Sequence, residues 1–241
     1  MPDVFDRLHA LVKPPPIASY CHRSHVYSLD GVVVPGVSEC LKNAALADYS
    51  QVPVGVLQAA ADRGTALHEA TALLDQENLD LESVDPVIQG YLLSYQLWRE
   101  NARPVYRDIE RWGIFDCNGL KYGGTVDRIG FLEMGAEIWV LDIKTSSKRQ
   151  DWWAIQTAAY DEQQDKRRGV IHCFKDGKAA QLIEYTEDTD YSVWEACLKL
   201  EHWKRSRKSR GLTISHGYIR PCGVLAGIQL TPKMNLYGGL A

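Results

Sequence analysis

Two segments of the chain place ionisable residues inside stretches that otherwise have the composition of buried β-strands. Residues 123–130 read Gly-Gly-Thr-Val-Asp-Arg-Ile-Gly, and residues 140–145 read Val-Leu-Asp-Ile-Lys-Thr. Because side chains alternate between the two faces of a strand, Asp142 and Lys144 are expected on the same face. Burying these two residues and Asp127 in an apolar sheet costs free energy unless a ligand or a reaction uses them. These residues are therefore the first candidates for a functional site.

A hard divalent cation is the ligand that best fits this group. Mg²⁺ and Mn²⁺ prefer carboxylate oxygens, backbone carbonyls and water, and Mn²⁺ also accepts an imidazole. The carbonyl of Ile143, which lies between the two ionisable residues of its strand, is a further candidate ligand. Lys144 beside such an ion would lower the pKa of an attacking water or stabilise charge on a phosphate in the transition state. The expected chemistry is phosphodiester hydrolysis.

Four short motifs follow one another along the chain. They are Gly64-Thr-Ala-Leu-His68, Gly124-Thr-Val-Asp127, Asp142-Ile-Lys144 and Gln156-Thr-Ala-Ala-Tyr160. In this order they resemble the G-x-x-x-H, G-x-x-D, D-x-K and Q-x-x-x-Y motifs of the PD-(D/E)XK nuclease superfamily, specifically its RecB-like branch. That branch includes Cas4-like proteins, phage exonucleases and the mitochondrial genome-maintenance exonuclease. Residues 34–41 also resemble a segment of the phage and mitochondrial members, and the resemblance covers about residues 25–205.

The resemblance implies roles for six residues and an activity. Metal ligation is implied for His68, Asp127 and Asp142, catalysis for Lys144, and positioning of DNA and of the catalytic groups for Gln156 and Tyr160. The implied activity is that of a Mg²⁺- or Mn²⁺-dependent DNA exonuclease in replication, recombination or repair, including phage-encoded forms. Its implied partner is DNA, either single-stranded or at free ends.

The cysteines separate this chain from Cas4-like members, which resemble it otherwise. Those members hold an iron–sulfur cluster on one cysteine before the nuclease core and three closely spaced cysteines after it. Here the cysteines after Tyr160 are Cys173, Cys197 and Cys222, which are widely dispersed. This spacing predicts no iron–sulfur cluster.

Each candidate residue also has an ordinary structural interpretation. His68 on a helix is compatible with a buried, hydrogen-bonded imidazole, and Asp127 with a surface ion pair to Arg128. Gln156 and Tyr160 are one helical turn apart, which is also the spacing of packing residues on an amphipathic helix. Only the order of the four motifs favours the functional interpretation for all of them.

Several further residues are candidates for metal or DNA contacts. Glu69 and Glu110 are candidates for direct or water-mediated metal ligands, against a solvated or structural role. Trp152 and Trp153 are candidates for base stacking, with core packing as the alternative. The basic run at residues 204–210 ends the last predicted helix, and either solvation or phosphate contact would explain it.

Periodicity predicts the elements that position these residues. Helical spacing predicts helices at 54–75, 84–101, 152–164 and 189–207, and Ser38 is a candidate N-cap of another short helix. Alternation predicts strands at 105–115, 121–131, 137–145, 170–174 and 179–185, and a hairpin at 25–34 turning at Asp30-Gly31. The predicted fold class is α/β. A central mixed sheet of the restriction-endonuclease type is expected, flanked by helices and preceded by the hairpin and helical additions.

Length and composition limit the organisation of the chain. The chain has 241 residues, of which 45% are apolar and 24% charged, so one folded domain with appendages is expected. We predict an N-terminal extension at 1–24, a nuclease domain at 25–210 and a C-terminal tail without an assigned role at 211–241. The net charge of −4 argues against nonspecific coating of nucleic acid but not against a nuclease.

Two signals that the sequence lacks bear on the cellular location of the protein. No apolar run approaches the roughly 18 residues of a membrane span, and the N-terminus carries Asp3, Asp6 and Arg7 where a signal peptide needs apolar residues. We therefore expect a cytoplasmic protein without membrane association, and the sequence does not specify protein partners.

A structure-specific endonuclease on the same core and a non-catalytic DNA- or protein-binding module are the alternatives to an exonuclease.

Overall fold

An antiparallel three-stranded sheet begins the part of the chain that the computed structural model describes, which is residues 16–22, 24–133 and 135–209. Its strands are β1 (Ala18–Cys21), β2 (Val26–Leu29) and β3 (Val32–Val34), in that spatial order. The turn between β2 and β3 has φ values of 50° at Asp30 and 76° at Gly31, as a tight hairpin turn requires. The predicted hairpin is confirmed. Strand β1 was not predicted, and it pairs with β2 although it lies within the predicted N-terminal extension.

The larger sheet has five strands in sequence order. They are β4 (Val105–Cys117), β5 (Leu120–Phe131), β6 (Trp139–Lys144), β7 (Arg167–His172) and β8 (Gln181–Tyr185). Only β6 and β7 pair in parallel, and the other neighbours are antiparallel. The apolar strand β6 is the middle strand. The α/β fold class with a mixed central sheet is confirmed.

Five α-helices surround these strands in the described residues. They are α1 (Val37–Asn43), α2 (Val54–Asp75), α3 (Pro86–Ala102), α4 (Trp152–Tyr160) and α5 (Thr189–Ser209), with a single 3₁₀ turn at Leu81–Ser83. Asp85 caps α3 by accepting the N–H of Val87 at 2.8 Å. No described helix is long and apolar enough to cross a membrane.

Helices α3 and α5 begin and end within two residues of their predicted bounds, whereas α1 and α4 differ more clearly from the prediction. Ser38 is not an N-cap: Gly36 precedes the first residue of α1, and its N–H donates to the Glu39 carboxylate at 3.3 Å. Helix α4 ends at Tyr160 rather than at residue 164. The Asp161 carboxylate accepts the N–H groups of Asp165 and Lys166, and these bonds close a loop in place of another helical turn.

The core lies on both faces of the five-stranded sheet. One apolar cluster joins α2 and α3 to Leu141, Ile143 and Ile171. A second joins α1, α4 and α5 to Tyr122 and Val140. Because side chains alternate along β6, Asp142 lies on the side of Val140, beneath α4. The middle of the sheet is therefore covered by helices, and its ionisable groups are largely withdrawn from water.

Candidate active site

The candidate site lies where β5 and β6 separate. The two strands pair at Arg128↔Leu141. Asp127 precedes Arg128 on β5, and its side-chain Oδ2 accepts the N–H of Ile143 on β6 at 2.6 Å. A carboxylate thus replaces a backbone carbonyl as the partner of this N–H group. Asp127 is 5% exposed, and this bond fixes its orientation. Ligation by the Ile143 carbonyl remains a prediction.

His68, Glu110 and Asp127 converge from three different elements. Nδ1 of His68 on α2 lies 3.3 Å from Oδ2 of Asp127 and 3.6 Å from Oε1 of Glu110 on β4. One potential ligand atom from each residue lies within 4.8 Å of the others, which is close enough to hold one metal ion. The structure brings together the predicted pair His68 and Asp127 and adds Glu110. Glu69, the other acidic candidate, is exposed on α2 and is not part of this group.

In the metal-free protein, the protonated form of His68 and the ionised form of Asp127 stabilise each other. Burial lowers the pKa of His68, but the carboxylates of Asp127 and Glu110 outweigh burial and raise it to about 10. Burial likewise raises the pKa of Asp127, but His68 outweighs it and holds that pKa below its usual range. A metal ion bound by His68 must therefore displace a proton from the imidazole.

Asp142 and Lys144 form the second part of the site, on the side of the sheet that α4 covers. Asp142 is 2% exposed, and its Oδ2 lies 2.6 Å from Nζ of Lys144. The Lys144 ammonium is the charge partner of this oxygen, which has no other hydrogen-bond partner among the described residues. Nζ of Lys144 also lies 5.3 Å from the ring centroid of Trp152, whereas Trp153 is 1% exposed and packs in the core.

The negative charge on Asp142 is unfavourable even beside Lys144. Burial raises the pKa of Asp142 to about 6, and the negative charge of Asp127 adds to this effect, although Lys144 and His68 lower it. Asp142 therefore interacts electrostatically with Asp127 and His68, although it lies outside the compact group of three. A buried carboxylate whose charge the neighbouring lysine compensates only in part fits a metal ligand, because a second cation would compensate the rest.

Gln156 and Tyr160 lie on α4, the helix that covers the side of the sheet carrying Asp142. Nε2 of Gln156 donates to the Tyr160 hydroxyl at 3.3 Å, and Oε1 of Gln156 is buried without a hydrogen-bond partner. Burial and the nearby Asp142 charge raise the pKa of Tyr160 far above its usual value. A Cβ atom on Gly124 would lie 2.7 Å from Cε1 of Tyr160. The glycine of the G-x-x-D motif therefore makes room for the tyrosine of the Q-x-x-x-Y motif.

Arg128 is the important residue that the sequence analysis missed, since it was considered only in the alternative interpretation as a surface partner of Asp127. It is fully buried rather than at the surface, and it does not pair with the Asp127 side chain. Its guanidinium donates to Asp75 at 2.7 Å, to Glu110 at 3.0 Å and to Thr71 at 3.0 Å. It also donates to the Asp127 carbonyl at 2.7 Å. The available signal was an arginine between Val126 and Ile129 in a strand expected to be buried, which is uncommon unless its charge is paired.

The basic run at the end of α5 contributes to the fold. Arg205 pairs with Glu39 at 2.7 Å and with Glu201 at 2.9 Å, and Lys204 donates to the carbonyl of Asn43 at 2.7 Å. These contacts attach the end of α5 to α1. The two cations are thus engaged within the protein, which disfavours the phosphate-contact interpretation for them.

Comparisons with known proteins add little to this geometry. No protein-family model matches the chain, and no curated protein matches it. Among solved structures, a candidate exonuclease of Eubacterium rectale covers 69% of this chain and 80% of its own length, at 12% identity and a TM-score of 0.41. The structure of SSO0001 covers 58% of this chain and 71% of its own length, at 17% identity and a TM-score of 0.29. At these scores the likeness does not bear on function, which must be argued from the site.

Proposed function

We propose that this protein is a divalent-metal-dependent nuclease that hydrolyses phosphodiester bonds in DNA, specifically an exonuclease acting on single strands or free ends. One observation carries the proposal. The buried Asp142 carboxylate is paired with Lys144, has no other hydrogen-bond partner at Oδ2, and interacts electrostatically with Asp127 and His68, which form a compact group of potential ligands with Glu110. Such an arrangement is costly for a structural role and suits a bound cation with a lysine next to it.

The donor set suits Mg²⁺ or Mn²⁺. His68, Asp127 and Asp142 would hold the ion together with the Ile143 carbonyl, and Glu110 is close enough to contribute directly or through a water. Carboxylate and carbonyl oxygens suit both ions, and the imidazole is better tolerated by Mn²⁺. The bound ion would supply an activated water and neutralise charge on the scissile phosphate.

Side chains of the protein would supply the remaining contacts to the phosphate and keep the site in place. The Lys144 ammonium, held between the Asp142 carboxylate and the Trp152 ring, would donate to phosphate oxygens as negative charge develops on them. Gln156 and Tyr160 are joined by a hydrogen bond and would keep the Asp142 side of the site in place. No residue is required as a nucleophile, because water attacks the phosphorus directly.

The test is cleavage of end-labelled linear single-stranded, linear duplex and closed circular single-stranded DNA with Mg²⁺, Mn²⁺ or EDTA. We expect metal-dependent degradation of linear single strands, and Lys144→Ala should lower the rate by about 10²- to 10³-fold. Lys148→Ala removes an exposed lysine four positions along the chain and is the matched control, which should retain activity.

Two outcomes would change the proposal. Cleavage of the closed circle would favour the endonuclease alternative, because an exonuclease requires an end. Absence of cleavage by folded wild-type protein under all conditions would refute the enzymatic assignment and favour a binding module.

A further inference from the structure

Five aromatic rings form a connected surface beside the candidate active site, and we call this surface the aromatic platform. Its members are Tyr20, His22, His25, Tyr27 and Trp112. Tyr20 is central: its ring stacks on Tyr27 with centroids 4.7 Å apart and contacts Trp112 at 5.7 Å. The two histidine rings lie 5.6 and 6.0 Å from Tyr20, and the Tyr20 hydroxyl bonds to Nδ1 of His25 at 2.9 Å.

The aromatic platform is anchored on one side and open on the other. Tyr27 is 6% exposed and lies over Gly123, where a Cβ atom would be 2.1 Å from its Cγ. In contrast, Trp112 is 41% exposed, and both histidines are exposed. The exposed rings are thus not core residues, and their positions are held by a rigid buried tyrosine.

The aromatic platform is continuous with the candidate metal ligands through two strands. Trp112 pairs in register with Thr125, whose Oγ1 bonds to the Tyr27 hydroxyl at 2.9 Å. Glu110 precedes Trp112 by two residues on β4, and Asp127 follows Thr125 by two residues on β5. Two residues of a strand span roughly 7 Å, which is on the scale of one nucleotide of an extended strand.

We propose that the aromatic platform stacks unpaired bases of single-stranded DNA and thereby places the backbone of the adjacent nucleotide at the candidate metal centre. This inference rests on the proposed function and adds the origin of its preference for single strands. Aromatic side chains stack on any base, so binding is tolerant of sequence. Bases within a duplex are already stacked on their neighbours and are not available to Trp112 or Tyr20.

Binding in EDTA tests the aromatic platform without cleavage. The probe is a fluorescein-labelled twelve-residue oligothymidylate, and the readout is anisotropy. Loss of one stacked base weakens binding by roughly 5- to 150-fold, so Trp112→Ala should raise Kd at least fivefold. Trp112→Phe keeps a ring and should recover most of the affinity. Trp203→Ala removes a tryptophan that is 51% exposed on α5 and is the matched control, with an unchanged Kd.

An abasic scan makes the test specific for stacking. Oligothymidylates with one abasic position should bind wild type more weakly at one or two positions, and Trp112→Ala should show no penalty at one of them. Tyr20→Leu, which keeps an apolar side chain on β1, is a second variant and should remove the penalty at a neighbouring position. An unchanged Kd in both Trp112→Ala and Tyr20→Leu, or an unchanged abasic profile, would overturn the proposal.

Failure of the aromatic platform is distinguishable from failure of the nuclease assignment. Intact cleavage by Trp112→Ala with an unchanged KM for single strands would reject the aromatic platform and leave the nuclease in place. Ring-dependent binding by a protein that never cleaves would support the aromatic platform and reject the nuclease.

Discussion

Asp142 and Asp127 should make opposite contributions to the stability of the metal-free protein, although both are buried aspartates of one site. The pKa of Asp142 is raised to about 6, whereas that of Asp127 is lowered. A raised pKa means that the folded state binds the proton more tightly than the unfolded chain does. Ionisation of Asp142 therefore destabilises the fold, and replacing it with the isosteric asparagine should increase stability.

The magnitude follows from the pKa values. The folded-state value of about 6 exceeds the ordinary value of 3.8 by roughly two pH units, which corresponds to roughly 3 kcal/mol. This penalty is absent below pH 3.8, grows as pH rises towards 6 and is complete above it. Asp142→Asn should thus be more stable than wild type by up to about 3 kcal/mol at pH 8, with almost no difference at pH 4. For a chain of this length the gain corresponds to a Tm increase of about 6–10 °C.

The assay is urea denaturation in EDTA at pH 4, 6 and 8, with Asp127→Asn as the matched control. Because the folded-state pKa of Asp127 is lowered, its ionisation stabilises the fold at neutral pH, and the control should be less stable than wild type at pH 8. Mn²⁺ should reverse the order of wild type and Asp142→Asn, since an ion at about 1,000 times its Kd adds about 4.1 kcal/mol to wild type and much less to a variant that lacks a ligand. Two results would refute this electrostatic reasoning. One is an Asp142→Asn variant less stable than wild type in EDTA at pH 8, and the other is a stability difference between the two proteins that does not change with pH.

Three further substitutions test the supporting structure. Arg128→Met removes one of the two arginines that pair with the buried Asp75 side chain, while Arg99 remains 2.8 Å away, and should cost about 1.5–3 kcal/mol in urea denaturation; a cost below about 1 kcal/mol would show that the buried network is dispensable. Gly64→Ala introduces a Cβ with no atom within 4 Å, so the helix should gain about 1 kcal/mol at unchanged cleavage rate. A loss of cleavage by this stable variant would indicate that DNA approaches the helix here. Gly123→Ala places a Cβ 2.1 Å from Cγ of Tyr27 and should destabilise the protein by about 1–3 kcal/mol, measured by thermal unfolding; a neutral result would mean that the three-stranded sheet moves freely.

The sequence predicted most elements because their signals are local. Asn118-Gly119 joins β4 and β5 with φ values of 53° and 84°, and the run at 54–75 is a helix with the predicted bounds. Strand β1 has four residues and no clear alternation, and its pairing with β2 determines it. A strand that depends on its partner in this way cannot be identified from its own residues.

The site was predictable where motif spacing determines it. The order of the motifs places His68 near Asp127, and the structure shows their side chains 3.3 Å apart. The part played by Glu110 was undecided, since its approach to His68 depends on the register of β4 against β5. The functional roles of these residues remain predictions until activity and metal binding are measured.

Arg128 explains why Glu110 reaches the site. Glu110 has a φ of 49°, the left-handed region that a non-glycine residue adopts only at a cost of about 1–2 kcal/mol. The register pairs on either side are Ile109↔Arg128 and Arg111↔Val126, so the distortion is confined to Glu110 and the facing Asp127. Because Arg128 binds both the Glu110 carboxylate and the Asp127 carbonyl, it offsets this strain and holds the two acidic residues together.

The choice of arginine follows from the geometry of its acceptors. Three nitrogens of the guanidinium reach four oxygens, which belong to Thr71 and Asp75 on α2, Glu110 on β4 and the Asp127 carbonyl on β5. A lysine has only three donors around one nitrogen and cannot match acceptors spread around a planar fork. Arg128→Lys should therefore preserve the charge but lower both stability and metal affinity. Isothermal titration with Mn²⁺ would check the second effect, and wild-type affinity in this variant would show that charge alone positions the carboxylates.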